Sequence, residues 1–106
     1  MPFIDVKASC EITSEQELRL KTGLGKAIEA IPGKDESLLM LQFTGGAHMW
    51  FAGKPGRIVM VNTAIFGQTA PEAFQRFGQE AVALFKEVLN ADQVYVKLAQ
   101  TTDWAW

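Results

Sequence analysis

Between residues 14 and 31 the apolar side chains Leu20, Leu24, Ala27, Ile28 and Ile31 recur at steps of three and four, while Glu15, Arg19, Lys26 and Glu29 fall elsewhere. That spacing predicts an amphipathic helix. Ser14-Glu15-Gln16-Glu17 reads as its capping box, the Ser14 hydroxyl bonding the N3 amide and Glu17 reaching back. Gly23 and Gly25 each cost up to about 1 kcal/mol against alanine, which points to close packing of this helix on a sheet. Pro32-Gly33 ends it. A second amphipathic helix follows from Phe74, Phe77, Ala81, Leu84, Phe85 and Val88, with Thr69-Ala70-Pro71-Glu72 as its capping box and a proline near its start.

Four runs have strand length. Phe3 to Lys7 is a short strand with a proline before it, a place where the missing N-H is tolerated. Leu38 to Phe43 and Ile58 to Phe66 are almost unbroken apolar runs, closed or preceded by Thr44-Gly45-Gly46 and Gly53-Lys54-Pro55-Gly56. Trp50-Phe51 is a candidate edge piece between them, and Val94 to Leu98 is the last strand. The order is strand, capped helix, strand, and then the same again. Two βαβ units side by side predict one α/β domain over residues 1–106: a four-stranded sheet, β-α-β-β-α-β, with both helices on one face. The other face is then open, yet Leu38 to Leu41 and Ile58 to Val61 are apolar on both sides. The simplest cover is another copy, so the pattern predicts a closed homo-oligomer.

Composition removes several classes of function. A chain of 106 residues with 48% hydrophobic and 21% charged residues can build a core and is not a disordered chain. A net charge of −2 gives no pull toward nucleic acid or an anionic membrane. Cys10 and His48 are the only residues of their types, which excludes an internal disulfide, a Cys/His zinc site and, in the Gly-rich setting of His48, a nucleophilic triad. No metal and no cofactor are expected. No run approaches a membrane span and the N-terminus lacks a signal core, so a cytoplasmic location is expected.

The candidate chemistry lies at Met1-Pro2. Proline after the initiator methionine usually lets the methionine be trimmed, leaving a secondary amine whose ordinary pKa is about 8. Burial beside Phe3 lowers that value toward neutrality, where a general base works well. The plainer reading is a proline tolerated at a strand start. Lys34 after the first helix is either a solvated charge or an anchor for an anion that also lowers the amine's pKa by like charge. Tyr95 is either a core aromatic or a pocket residue, and Trp104 and Trp106 either pack the chain end or form part of an interface.

The Met1-Pro2 start, Gly33-Lys34, the strand end Asn62-Thr63-Ala64-Ile65-Phe66-Gly67, Asp92-Gln93-Val94-Tyr95-Val96 and the closing Trp104-Ala105-Trp106 together resemble the macrophage migration inhibitory factor family of the tautomerase superfamily. The resemblance spans essentially the whole chain. It implies a homotrimer with active sites at subunit boundaries and a phenylpyruvate-type keto-enol tautomerase, with Pro2 as the proton-transferring base. It further implies Lys34 on the substrate carboxylate, a backbone N-H from Ala64 or, one register along, Ile65, Tyr95 and Lys97 from a neighbouring subunit, and Trp106 at the pocket mouth. Leu38 stands where many members carry an aromatic residue, Lys97 where many carry asparagine, and the chain stops before a tail often found beyond. The Cys-x-x-Cys of the animal cytokine is absent. Two alternatives stand beside the enzyme. One is a trimeric binding module or cytokine-like protein, of a family that can leave cells without a signal peptide. The other is a dehalogenase or decarboxylase of the same superfamily, for which Arg19, Arg57 and Arg76 form no evident cluster.

Overall fold

Alternation along the strands decides what the sheet buries. The computed structural model describes residues 1–106, with β1 (Pro2–Ala8), α1 (Ser14–Ala27), β2 (Met40–Thr44), β3 (Ile58–Phe66), α2 (Pro71–Leu89) and β4 (Gln93–Thr101). The strands form one sheet in the order β2-β1-β3-β4. β1 is parallel to β2 and β3 to β4, while β1 and β3 run antiparallel at the centre. This is the doubled β-α-β predicted from the repeat.

Ile4 and Val6 of β1 and Val59, Val61 and Ile65 of β3 turn to the helix-covered face and are fully or almost fully buried. They meet Leu20, Leu24 and Ile28 from the first helical segment and Phe77, Ala81 and Phe85 from α2. Thr63 is buried in this layer, and its hydroxyl has no hydrogen-bond partner.

Both predicted caps move. Thr13, not Ser14, caps α1: its side chain accepts from the Gln16 N-H, and the Gln16 side chain accepts from the Thr13 N-H. Glu17 lies one place too late for the N3 position of that box. α2 starts from Ala70 with no side-chain cap, and Pro71 occupies its first turn. Thr69 presents its N-H to the Gln100 side chain at 2.7 Å instead.

The glycines of α1 do not rest on the sheet. A Cβ on Gly23 would sit 2.6 Å from the Leu84 side chain of α2, and one on Gly25 would meet the Glu36 carboxylate. Helix-to-helix approach therefore uses Gly23. α1 tightens into a 3-10 turn at Ile28–Ala30, and Glu36–Leu38 form a second. Leu38 thus leaves the predicted strand, and β2 begins at Met40.

The open face is not uniformly apolar. Register places Gln42, Asp5, Asn62 and Lys97 in one row across all four strands, a polar band. On one side of it lies the row Met40, Phe3, Ala64 and Ala99; on the other, Thr44, Lys7, Met60 and Tyr95. Both faces of β2 and β3 looked apolar because methionines stand at Met40 and Met60, at opposite margins of the band. No helix is long and apolar enough to cross a membrane.

Candidate active site

The Met1-Pro2 end of β1 is held against the end of β3. Pro2 is buried and pairs with Ile65. The carbonyl of Met1 accepts the Phe66 N-H at 3.0 Å. Hydrogen-bonded pairs alternate along an antiparallel ladder, so the Met1–Phe66 pair makes Ala64 bond across to Phe3 and turns the Ile65 N-H toward β4. The N-H that bonds the chain end is that of Phe66, next to the Ala64 and Ile65 of the same strand end.

Lys34 arrives from the loop after the first helical segment. Gly33 makes the turn at φ 79°, a conformation open to glycine at little cost, and the Lys34 N-H bonds the Ile31 carbonyl at 3.0 Å. The Lys34 Nζ then donates to the Phe66 carbonyl at 3.0 Å. Both backbone polar groups of Phe66 thus face this site.

Three influences lower the chain-end amine below its ordinary pKa: desolvation by burial first, then the positive charge of Lys34, then its hydrogen-bond contact with Lys34; the carboxylate of Asp35 opposes them. The amine in the structure belongs to Met1.

A cleft of about 430 Å³ opens at this point, lined by Met1, Pro2, Phe3, Leu38, Met40, Trp104, Ala105 and Trp106. The Trp106 ring meets the Phe66 ring edge-on, with centroids 5.9 Å apart. A larger groove of about 580 Å³ runs along α2 beside Val96, but Lys86 is its only ionisable side chain. Size alone would choose that groove; the chain end, Met1 and Pro2, lines the smaller cleft.

Pro2, Lys34 and Trp106 are thus brought together within one chain, and Tyr95 and Lys97 are not. Tyr95 shares a row with Lys7, five residues along β1 from Pro2, or about 17 Å at strand spacing. It is not a core residue. It stands exposed on the open face, edge-on to Phe51 at 5.7 Å. Lys97 lies in the polar row with Asp5. Within one chain neither stands beside Pro2. Arg57 is engaged elsewhere: its guanidinium donates to the Leu89 carbonyl at 3.0 and 2.7 Å and closes the end of α2.

No family model matches the sequence, and no protein of curated function matches it. Solved structures match its fold along nearly the full length. Leishmania major MIF2 superposes with a TM-score of 0.92 at 20% identity, over 100% of this chain and 93% of that one. A macrophage migration inhibitory factor homologue from Prochlorococcus marinus gives 0.85 at 20% identity, over 98% and 94%. A fused 4-OT, solved as an asymmetric trimer, gives 0.79 at 14% identity, over 98% and 91%. The chain has the fold of macrophage migration inhibitory factor and tautomerase-superfamily proteins.

Proposed function

We propose that this protein is a cofactor-independent keto-enol tautomerase for α-keto acids of the phenylpyruvate type, with the amine of Pro2, freed by loss of Met1, as the group that takes and returns the proton. The observation that carries this reading is that the Lys34 ammonium and the Phe66 N-H meet at the Met1-Pro2 chain end, beside an apolar cleft that Pro2 and Trp106 line.

Loss of Met1 removes the carbonyl that the Phe66 N-H bonds. The Phe66 N-H is then left for a substrate oxygen, and a donor aimed where charge develops stabilises a transition state. Lys34 gives one donor to the Phe66 carbonyl and keeps two for the substrate carboxylate. In the keto-to-enol direction Pro2 nitrogen takes a proton from C3. The C-H electron pair forms the C2=C3 double bond, and the charge moves to the carbonyl oxygen held by the Phe66 N-H. The protonated amine then gives its proton to that oxygen. The reverse direction returns the proton to C3. The substrate's aromatic side chain rests among Phe3, Leu38, Met40 and Trp106.

The site is completed between copies of the chain in a homotrimer, with Tyr95 and Lys97 supplied by the neighbour. Their exposure on the open face supports this, as does the polar row, which suits a face enclosed with water better than one left bare or buried dry.

The test is the ultraviolet decay of enol phenylpyruvate, measured with protein shown by intact mass to lack Met1 and with Pro2→Ala alongside. General-base catalysis contributes about 10²–10⁴-fold, so the variant should lose turnover by that order. No acceleration over buffer from the trimmed protein would overturn the phenylpyruvate reading.

A further inference from the structure

Residues from the far end of the chain line the Pro2 cleft as well. At the end of β3 two consecutive N-H groups bond to either side: that of Phe66 to the Met1 carbonyl at 3.0 Å, and that of Gly67 to the Thr101 carbonyl of β4 at 2.8 Å. After Thr101 the chain folds back, the Asp103 N-H bonding the Thr101 hydroxyl at 2.9 Å and the Trp104 N-H bonding the Thr102 carbonyl at 3.1 Å. This turn takes Trp104 across the end of β3, where it lines the cleft together with Pro2, Phe3 and Met40. The two tryptophans of the tail are not equivalent. Trp106 leaves 83% of its surface in solvent, whereas Trp104 is half-buried. An indole that is already half-buried loses less freedom when a ligand covers the rest of it.

We propose that Trp104 is a specificity-determining residue of this cleft: its indole receives the flat apolar side chain of an α-keto acid, and the cleft turns away keto acids that bear a second carboxylate. None of the eight residues lining the cleft has an ionisable side chain. A carboxylate placed there loses its hydration, with no cation in the lining to replace it. An aromatic ring instead gains an edge-to-face or offset contact with the indole and a thioether contact with Met40. Lys34, held at the Phe66 carbonyl, is the one ammonium beside the chain end, so a single carboxylate is matched. The chemistry that fits is one carboxylate joined to one aromatic group.

This inference rests on the cleft being the substrate site of the reading above, and a binding measurement separates it from turnover. Met1-free, ¹⁵N-labelled protein is titrated with 3-phenylpropionate, which has one carboxylate and an aromatic ring but no carbonyl to enolise, and with succinate, which has two carboxylates. The indole N-H signals are followed by NMR in the wild type, Trp104→Ala, Trp104→Phe and Trp106→Ala; the signal missing from both Trp104 variants identifies that ring. 3-Phenylpropionate should shift the Trp104 signal and bind the wild type about tenfold or more tightly than succinate, the lower end of what a change of occupant in an apolar pocket is worth. Trp104→Ala should weaken 3-phenylpropionate roughly tenfold, more than Trp106→Ala does, and leave succinate as it was. Trp104→Phe keeps an aromatic wall and should retain most of the affinity. Succinate binding the wild type as tightly as 3-phenylpropionate overturns the proposal, as does Trp104→Ala binding 3-phenylpropionate like the wild type, or an equal loss of both ligands in Trp104→Ala and Trp104→Phe. The expected binding pattern in a protein that turns over no enol phenylpyruvate upholds the role of Trp104 and overturns the tautomerase reading instead.

Discussion

The Lys34 ammonium reaches the carbonyl of Phe66, 32 residues later in the chain, at 3.0 Å. One bond thereby ties the loop after the first helical segment to the end of the central strand. Phe66 also offers its N-H to the chain end and its ring to Trp106. A single residue thus meets the lysine, the chain end and the C-terminal tryptophan.

Lys34→Gln removes a charged donor worth about 1.5–3 kcal/mol, so kcat/KM should fall roughly 10–100-fold, chiefly through KM. The pH profile gives the sign independently. Lys34 lowers the chain-end amine; on the proposed mechanism activity needs that amine unprotonated, so kcat/KM should rise with pH through its pKa. Without Lys34 the amine is more basic. The acid limb should move to higher pH, and a profile that moves lower contradicts the assignment.

Two inactive variants should complement each other. If Pro2 comes from one copy and Tyr95 from the next, then Pro2→Ala and Tyr95→Ala, unfolded together and refolded, form mixed oligomers with some intact sites. Turnover above that of either variant refolded alone is the expected result. Sedimentation at several concentrations gives the accompanying check, and a monomer that does not change with concentration contradicts the shared site.

Thr63 is fully buried on the helix-covered face, between Ile4 and Leu98 in register, with an unpartnered hydroxyl. Thr63→Val keeps the branched shape and removes a polar group whose desolvation costs about 1–3 kcal/mol. The variant should unfold at a higher denaturant midpoint with the same slope. A lower midpoint would mean that the hydroxyl has a partner.

Thr13→Ala should destabilise the protein by about 1 kcal/mol, the usual value of a side-chain N-cap. Ser14→Ala should cost only a few tenths, because Ser14 is the first helical residue and not the cap. Thermal unfolding of the pair distinguishes the two positions. Equal losses would return the cap to Ser14.

Local pattern was enough wherever one residue's neighbours in sequence determine its environment. The three- and four-residue steps of Leu20, Leu24 and Ile28 gave the first helix its face, and the repeated strand-helix-strand order gave the sheet its topology. The first cap slipped by one residue because Thr13 and Ser14 carry the same hydroxyl, and α2 has no side-chain cap at all. Which hydroxyl reaches an N-H depends on the backbone angle just before the helix, and composition does not encode that angle.

The residue types of the candidate site, a proline after Met1, a lysine behind Pro32-Gly33 and aromatic residues at the far end, were readable in the chain itself, because each is chemically distinct. Their meeting was a matter of tertiary structure. Strand register decided that the Phe66 N-H bonds the Met1 carbonyl, since hydrogen bonding alternates between neighbouring strands and a shift of one residue reverses it. Register also gathered Gln42, Asp5, Asn62 and Lys97 into one polar row from four separate strands. It set Tyr95 far from the Pro2 of its own chain. Residue identity fixes what a group can do; only the long-range pairing of strands fixes which groups share a place.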